Sequence, residues 1–211
     1  MKVGVLGSGA VAKTLGAGFA THGHAVMFGT RDASKLADIA KQTGTHVGTF
    51  AEAADFGDVV VLAVKGSVAA DVLRLAGAGV DGKVIIDPTN PIAATAPVNG
   101  VLSFFTAMNQ SLMERLQDEF PNSRFVKAFN SVGNARMVDP SFSDGKPTMF
   151  ICGNDEAAKE IVRGVCNTFG WDVLDLGAAE AARAIEPLCI LWCIPGFRQN
   201  EWTHAFKVLH A

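Results

Sequence analysis

The sequence contains no tyrosine. That excludes the Tyr-x-x-x-Lys proton relay of the short-chain dehydrogenases. Histidine is scarce too, at five residues. His22, His24 and His46 fall at expected helix or strand ends, and His204 and His210 lie in the tail. The four cysteines, Cys152, Cys166, Cys189 and Cys193, form no C-x-x-C pair. Cys189 and Cys193 share one helix face, but two ligands are too few for a structural zinc site, and no histidine stands at matching spacing. Reduced buried thiols are expected, and no metal site. No apolar run approaches the ~20 residues that cross a bilayer. LCILWCIPGF, residues 188–197, comes nearest and is far too short. Positive charge is not in excess either: the net charge is -3 and the pI about 5.9. A nucleic acid or a membrane is therefore not expected as a partner, although a local basic pocket for one phosphate is compatible with this balance. Lys2 and the apolar stretch through Ala12 loosely imitate a secretion signal, but Gly4, Gly7 and Gly9 break it. The expected location is the cytoplasm.

What is present is an apolar chain of 211 residues, 49% hydrophobic and 18% charged. It is long enough for one domain, or one domain plus an appendage, with a sizeable core. Residues 2–6 read as a short buried strand. Val11, Leu15 and Phe19 give the following segment one apolar helical face, and Gly23 is a natural stop. HAVMFG is a second strand. Asp32 or Ser34 can cap a helix through Leu36 and Ile39. A weak strand at 46–47 leads to a short helix from Phe50. DVVVLAV is fully apolar, as a strand covered on both faces requires. A helix over 68–76 and the strand KVIID follow. Residues 91–104 lack period and read as a mobile loop. Met108, Leu112, Leu116 and Phe120 predict a helix. RFVKAFN, PTMFICG and WDVLDLG read as strands around a helix that ends at Gly170. A last helix covers about 179–192, broken by Pro195 and Gly196. Alternation of strand and helix predicts an α/β, Rossmann-type doubly wound, mainly parallel sheet with a small C-terminal helical segment. The expected division is 1–176 for the nucleotide-binding domain and 177–211 for a C-terminal helix and tail.

Gly7-Ser8-Gly9-Ala10-Val11-Ala12 is G-x-G-x-x-A directly after a strand and at the opening of a helix. In that context each position has a reason. Gly7 permits the tight turn, Gly9 lets a pyrophosphate approach the backbone, and Ala12 lets the helix pack on the strand. The free N–H groups at the helix start then meet phosphate oxygens. The bland alternative is a glycine turn that binds nothing. About 20 residues further on, an acid would hold the ribose 2′-hydroxyl of NAD. The chain instead has Thr30 and Arg31 there, with Lys35 one turn later. A carboxylate repels a 2′-phosphate, whereas an arginine pairs with it and stacks on adenine. This pattern predicts NADP(H). The alternative leaves Arg31 and Lys35 as solvated charges and makes Asp32 the NAD-type acid.

Ligands of such sheets lie beyond the carboxyl ends of the strands. Those ends are 63–66 with Ala63, Val64 and Lys65, then 87–91 with Pro88 and Asn90, and 129–134 with Asn130. Lys65, Asn90, Lys127 and Asn130 are the polar candidates, each equally open to a turn or capping role. No histidine falls at an expected strand end facing the nicotinamide. Direct hydride transfer between two rings needs no protein acid and fits that absence, so no catalytic side chain is expected.

VGVLGSGAVAKTLGAGFATHGHAVMFGTRD, DPTNP, FVKAFN and MFICGNDEAAKEIVRGVCNTFGWDVLDLG together resemble the F420-dependent NADP oxidoreductases. The same pattern occurs in the cytosolic NADPH-binding domains of the six-transmembrane ferric reductases. The resemblance covers nearly the whole chain. It implies NADP held by Ser8, Gly9, Ala10, Val11, Thr30, Arg31 and Lys35, with Val64 and Lys65 near the nicotinamide. It implies hydride exchange with F420, FMN or FAD, and a homodimer formed through the C-terminal part, where PLCILWCIPGF is apolar enough for an interface. Two departures bear on the acceptor. The archaeal pattern has Ile-Pro where this chain has Val64-Lys65, and a histidine-containing turn where it has FNSVGN. Relatives with the KAFN form need not use the deazaflavin. With no membrane domain following, iron reduction by the ferric-reductase route is not expected. Two other readings stay open: reduction of a small imine or carbonyl, whose enzymes normally carry a longer helical C-terminal domain, and an NADPH-sensing protein without turnover.

Overall fold

Strand and helix alternate through the first part of the chain because apolar runs such as β1, β4 and β5 are separated by helices that mostly carry one apolar face. In the computed structural model, which describes residues 1–209, the order is β1 (Lys2–Leu6), α1 (Ala10–Thr21), β2 (Ala25–Gly29), α2 (Ala37–Thr43), β3 (His46–Gly48), α3 (Phe50–Phe56), β4 (Val59–Leu62), α4 (Ala69–Ala76), β5 (Val84–Asp87), α5 (Leu112–Glu119) and β6 (Arg124–Lys127). These six strands form one parallel sheet in the order β3-β2-β1-β4-β5-β6. That is the Rossmann order, and it reverses between β1 and β4. Every residue of β4 and β5 is buried. Alternate residues feed two cores, one on each face: Val3, Val5, Val61 and Ile86 on one, and Leu6, Val60, Leu62 and Ile85 on the other. On the second face α3 lies so close that a Cβ at Gly4 would run into the carbonyl of Ala53.

Past β6 the direction changes. β7 (Thr148–Ile151) and β8 (Asp172–Asp175) are parallel to each other, joined through α6 (Glu156–Thr168). An antiparallel bridge between Lys127 and Cys152 hooks this pair to the edge of β6, with the Lys127 amide donating to the Cys152 carbonyl at 3.0 Å. The tail returns to the other side of β7, where the Thr148 amide donates to the Phe206 carbonyl at 2.8 Å.

Three segments differ from the sequence expectation. Residues 91–104 are not aperiodic: Ile92 bridges Phe104 and Val98 bridges Val101, both antiparallel, making a narrow ribbon. Its tip is Asn99-Gly100, both at positive φ (51° and 85°), the two-residue turn that Asn-Gly favours. Met108 does not belong to the helix. It is 96% exposed, and α5 begins only at Leu112, where Ser111 and Glu114 form a capping box. The last helical stretch is divided at Pro187, not Pro195. α7 (Ala182–Ile185) is followed by α8 (Pro187–Gln199), because Pro187 has no N–H to continue the ladder and suits a helix's first position. α8 passes through Pro195. The donor lost there was owed to the carbonyl of Leu191, which sits on an exposed face where water can replace it. Asn200, in the left-handed region, ends the helix.

Candidate functional site

The glycine turn sits at the carboxyl end of β1. Gly7 has φ 136°, and a Cβ there would strike the carbonyl of Ala63, so only glycine fits. Gly9 has nothing within 4 Å of where a Cβ would stand. It is the N-cap of α1, which has no side-chain cap and no acid in its first turn. The first amides of a twelve-residue helix therefore open onto free space, with Gly9 and Ala10 exposed and Ser8 and Val11 half-buried. A pyrophosphate fits this cradle by both shape and charge.

At the end of β2, Thr30 is fixed by its amide, which donates to the Gly48 carbonyl at 3.0 Å. Its hydroxyl accepts from the Asp32 amide at 3.1 Å. The Asp32 carboxylate is already occupied. It accepts from the amide and hydroxyl of Ser34 and has Lys35 Nζ 3.7 Å away. The Ser34 hydroxyl, foremost, holds its carboxyl below the usual range. Asp32 is thus a cap, with Oδ1 accepting from Ser34 and Oδ2 facing Lys35. Arg31 is exposed and has no carboxylate at ion-pair distance among the described residues.

Beyond β4 and β5 lies a cavity of about 460 Å³ whose walls include Val64, Lys65, Ser67, Pro88, Asn90 and Phe105. The ribbon of residues 92–105 forms its roof. Ala63 is buried beneath it, against Gly7. Lys65 is the only titratable side chain in that lining among the described residues.

Asn130 does not line the cavity but braces it. Its Nδ2 donates to Asn90 Oδ1 at 3.1 Å and to the Ile185 carbonyl at 3.0 Å, while Asn90 Nδ2 donates to the Asn130 carbonyl at 2.8 Å. The Asn130 Oδ1 atom is buried without a partner.

Lys127 stands apart from the cavity. Its side chain is fully buried, 2.7 Å from Asp87, 2.9 Å from Glu186 and donating to the Thr89 carbonyl at 2.9 Å. Burial pushes its pKa down, but the carboxylates of Asp87 and Glu186 more than offset this and the net shift is upward. Glu186 accepts in turn from the amides of Leu112 and Met113 at the start of α5. The network ties β5, β6, α5 and the α7–α8 junction together below the site. Glu186 was not among the sequence candidates. Nothing local marks it, since its partners are brought to it only by the fold. The Ser111-x-x-Glu114 box that starts α5 could have been read directly.

No histidine reaches the cavity among the described residues. His22 pairs with Asp139 at 3.1 Å, and His204 stacks on Trp192 with ring centroids 5.0 Å apart. His210 lies outside the described residues. All four cysteines are free, and burial pushes the Cys152 thiol up to about 12. No cluster of three or more metal-ligating side chains exists among the described residues, and no helix among them is long and apolar enough to cross a membrane.

The model of the family described as NADP oxidoreductase, coenzyme F420-dependent, matches residues 2–91. The metalloreductase STEAP3 of Rattus norvegicus is 30% identical over 198 residues, which is 92% of this chain but only 38% of that protein's length. The F420-dependent NADP reductase of Methanocaldococcus jannaschii is 29% identical over 164 residues, covering 74% of this chain and 71% of the relative. A crystal structure from Arthrobacter sp. FB24, provisionally named an F420-dependent NADP-reductase, superimposes over the whole of both chains with a TM-score of 0.93 and 30% identity.

Proposed function

Because the chain belongs to the F420-dependent NADP oxidoreductase family, and is thereby an NADP-dependent oxidoreductase, we propose that it passes a hydride directly between NADP(H) and a flavin or deazaflavin ring. The observation that carries this reading is the cavity itself. It adjoins the dinucleotide crevice, is of ligand size, and has no titratable group but the exposed Lys65. Such a site suits a ring that needs orientation rather than an acid.

In this reading the turn at Gly7 and the amides of Ser8, Gly9, Ala10 and Val11 receive the pyrophosphate. Arg31 pairs with the 2′-phosphate, Thr30 shapes the turn beside it, and Lys35 adds positive charge next to the occupied Asp32. Ala63, Val64 and Lys65 form one wall of the nicotinamide pocket and Pro88 and Asn90 the other, with Asn130 holding Asn90 in place. NADPH supplies two electrons and a proton together as hydride, and the second proton on the acceptor comes from water. Residues 1–176 form the nucleotide-binding part of this scheme. The segment 177–211, with Leu191 and Phe197 exposed on α8, is the dimer surface of a cytoplasmic protein.

The test is to mix the protein with NADPH, or with NADH, and follow nicotinamide absorbance against F420, FMN, FAD, ferric chelate and a carbonyl panel. Oxidation of NADPH by a ring acceptor, with NADH much poorer, is expected. Turnover confined to carbonyls or imines would overturn the reading, because no ring would then accept the hydride. Binding without turnover on any acceptor would leave an NADPH sensor instead.

A further inference from the structure

On the β5 side the chamber wall is the segment Asp87-Pro88-Thr89-Asn90-Pro91, of which Pro88, Thr89 and Asn90 line the cavity. This turn is held from behind. Asp87 Oδ1 accepts from the Thr89 amide at 2.8 Å and from the Thr89 hydroxyl at 2.6 Å. Lys127 Nζ, 2.7 Å from Asp87 Oδ2, donates to the Thr89 carbonyl at 2.9 Å. Asn130 exchanges two hydrogen bonds with Asn90. From the β4 side Gly66 approaches the Asn90 carbonyl so closely that a Cβ would stand 2.1 Å from it. Asn90 is therefore gripped between Asn130 and Gly66, and a shift of the turn changes the width of the chamber.

Both braces end on two consecutive residues. Asn130 Nδ2 donates to the Ile185 carbonyl at 3.0 Å, and Lys127 Nζ lies 2.9 Å from Glu186 Oε1. Ile185 ends α7, and Glu186 links it to Pro187 at the start of α8. Glu186 is fixed in turn by the amides of Leu112 and Met113, which donate to it at 2.9 and 3.0 Å. Between Lys127 and Asn130, the buried Phe129 has φ 61°, a left-handed conformation that a bulky residue keeps only where its surroundings impose it. Stability alone does not account for this arrangement. Apolar residues of like volume often replace a whole buried ion group without loss, whereas fixed ionic distances specify one geometry. The geometry specified here is the position of Thr89 and Asn90.

We propose that Glu186 is a positioning residue for hydride transfer. With the Ile185 carbonyl it anchors Lys127 and Asn130, and through them it fixes the Thr89–Asn90 wall against which the nicotinamide lies. The α7–α8 junction thereby sets the distance of the ring and the face it presents. It does not set the affinity for the nucleotide, which rests on the glycine turn and Arg31. This inference depends on the placing of the nicotinamide in the chamber proposed above, and it gives the buried network a part in the reaction.

The test compares Glu186→Gln and Asn130→Ser with the wild type. Three quantities are read: NADP⁺ affinity by titration, the emission of bound NADPH, and single-turnover hydride transfer from NADPH deuterated on one or the other face of C4. Both variants should keep NADP⁺ affinity within about twofold. The emission of bound NADPH, which rises when its ring is held rigidly, should lose much of that rise. Transfer should slow by about tenfold to a hundredfold, the effect of a small misplacement of reacting atoms. Some hydride should also leave from the face that the wild type does not use. A network that only supports the fold lowers the thermal midpoint and moves neither the emission nor the choice of face. Folded variants with wild-type emission and strict use of one face therefore overturn the inference. So does a loss of rate matched by an equal loss of NADP⁺ affinity. If Glu186→Gln does not fold, Asn130→Ser decides alone, since it removes no charge from the buried group. If the wild type reduces no ring acceptor, the hydride-transfer reading falls, and the emission of bound NADPH still decides the positioning role.

Discussion

At the scale of single residues, the account turns on which charges are already used. Asp32 stands next to the position of an NAD-type acid, yet its carboxylate accepts from Ser34 and lies 3.7 Å from Lys35, whereas Arg31 has no carboxylate at ion-pair distance among the described residues; in the proposed reading Arg31 therefore meets the nucleotide. Arg31→Ala should weaken NADPH binding by ~1.5–3 kcal/mol and leave NADH nearly unchanged. Calorimetric titration with the two nucleotides measures it, and equal losses for both would sink the assignment. Lys127 makes the opposite point. In sequence it is one lysine at a strand end, as open to a substrate role as Lys65. In the fold it is the cation of a buried group with Asp87 and Glu186. Lys127→Met leaves two buried carboxylates uncompensated and should cost ~3–5 kcal/mol in urea unfolding. A loss below about 1 kcal/mol would show that the network is not what secures this end of the sheet. The place of Arg31, exposed just after β2, was legible because the glycine turn fixes where to look. Glu186 was not, because its value depends on partners far away in the chain.

At the scale of elements, the regular parts were readable and the junctions were not. β4 and β5 announce themselves as apolar runs, and α1 by its four-residue spacing. The ribbon over 92–105 is too short for periodicity to register, although its Asn99-Gly100 turn is a sequence signal in its own right. Gly100→Val puts a branched side chain at φ 85° and against Arg198, which should destabilise the tip by about 1 kcal/mol or more. If the ribbon roofs the acceptor chamber, KM for the ring acceptor rises while the NADPH affinity holds. An unchanged KM would detach the ribbon from the acceptor. The helix starts anew at Pro187 and runs through Pro195, and both prolines look alike in the sequence pattern. Joining these pieces, Arg183 pairs with Glu114 across α7 and α5 and, with Ser111, lowers the Glu114 carboxyl from 4.5 to about 2. A depressed carboxyl stabilises the fold above its unfolded pKa, and this stability is lost as pH falls from about 4.5 towards 2. Glu114→Gln should therefore reduce the acid-induced loss of unfolding free energy over that window by on the order of 1 kcal/mol, since Arg183 is largely solvent-screened. An unaltered acid profile in the variant would contradict the pairing.

At the scale of the whole molecule, alternation of strand and helix made the doubly wound, mainly parallel sheet readable in the sequence, while the order of its strands came from the fold. The reversed pair β7–β8 and the tail laid along β7 were not readable, because strand direction at a sheet edge is set by tertiary pairing rather than by local pattern. The sheet places an uncapped helix start, an exposed arginine and a chamber with almost no titratable groups at the carboxyl ends of neighbouring strands. That combination is what argues for transfer from one ring to another without a protein acid. The central claim is tested most directly by the deuterium isotope effect on single-turnover reduction of a flavin or deazaflavin, using NADPH labelled on one or the other face of C4. Direct transfer predicts reduction several-fold slower with the label on one face and unchanged with it on the other. Equal rates for both labelled forms and unlabelled NADPH in a step shown to be the chemical one, or no reduction of any ring acceptor, would contradict it.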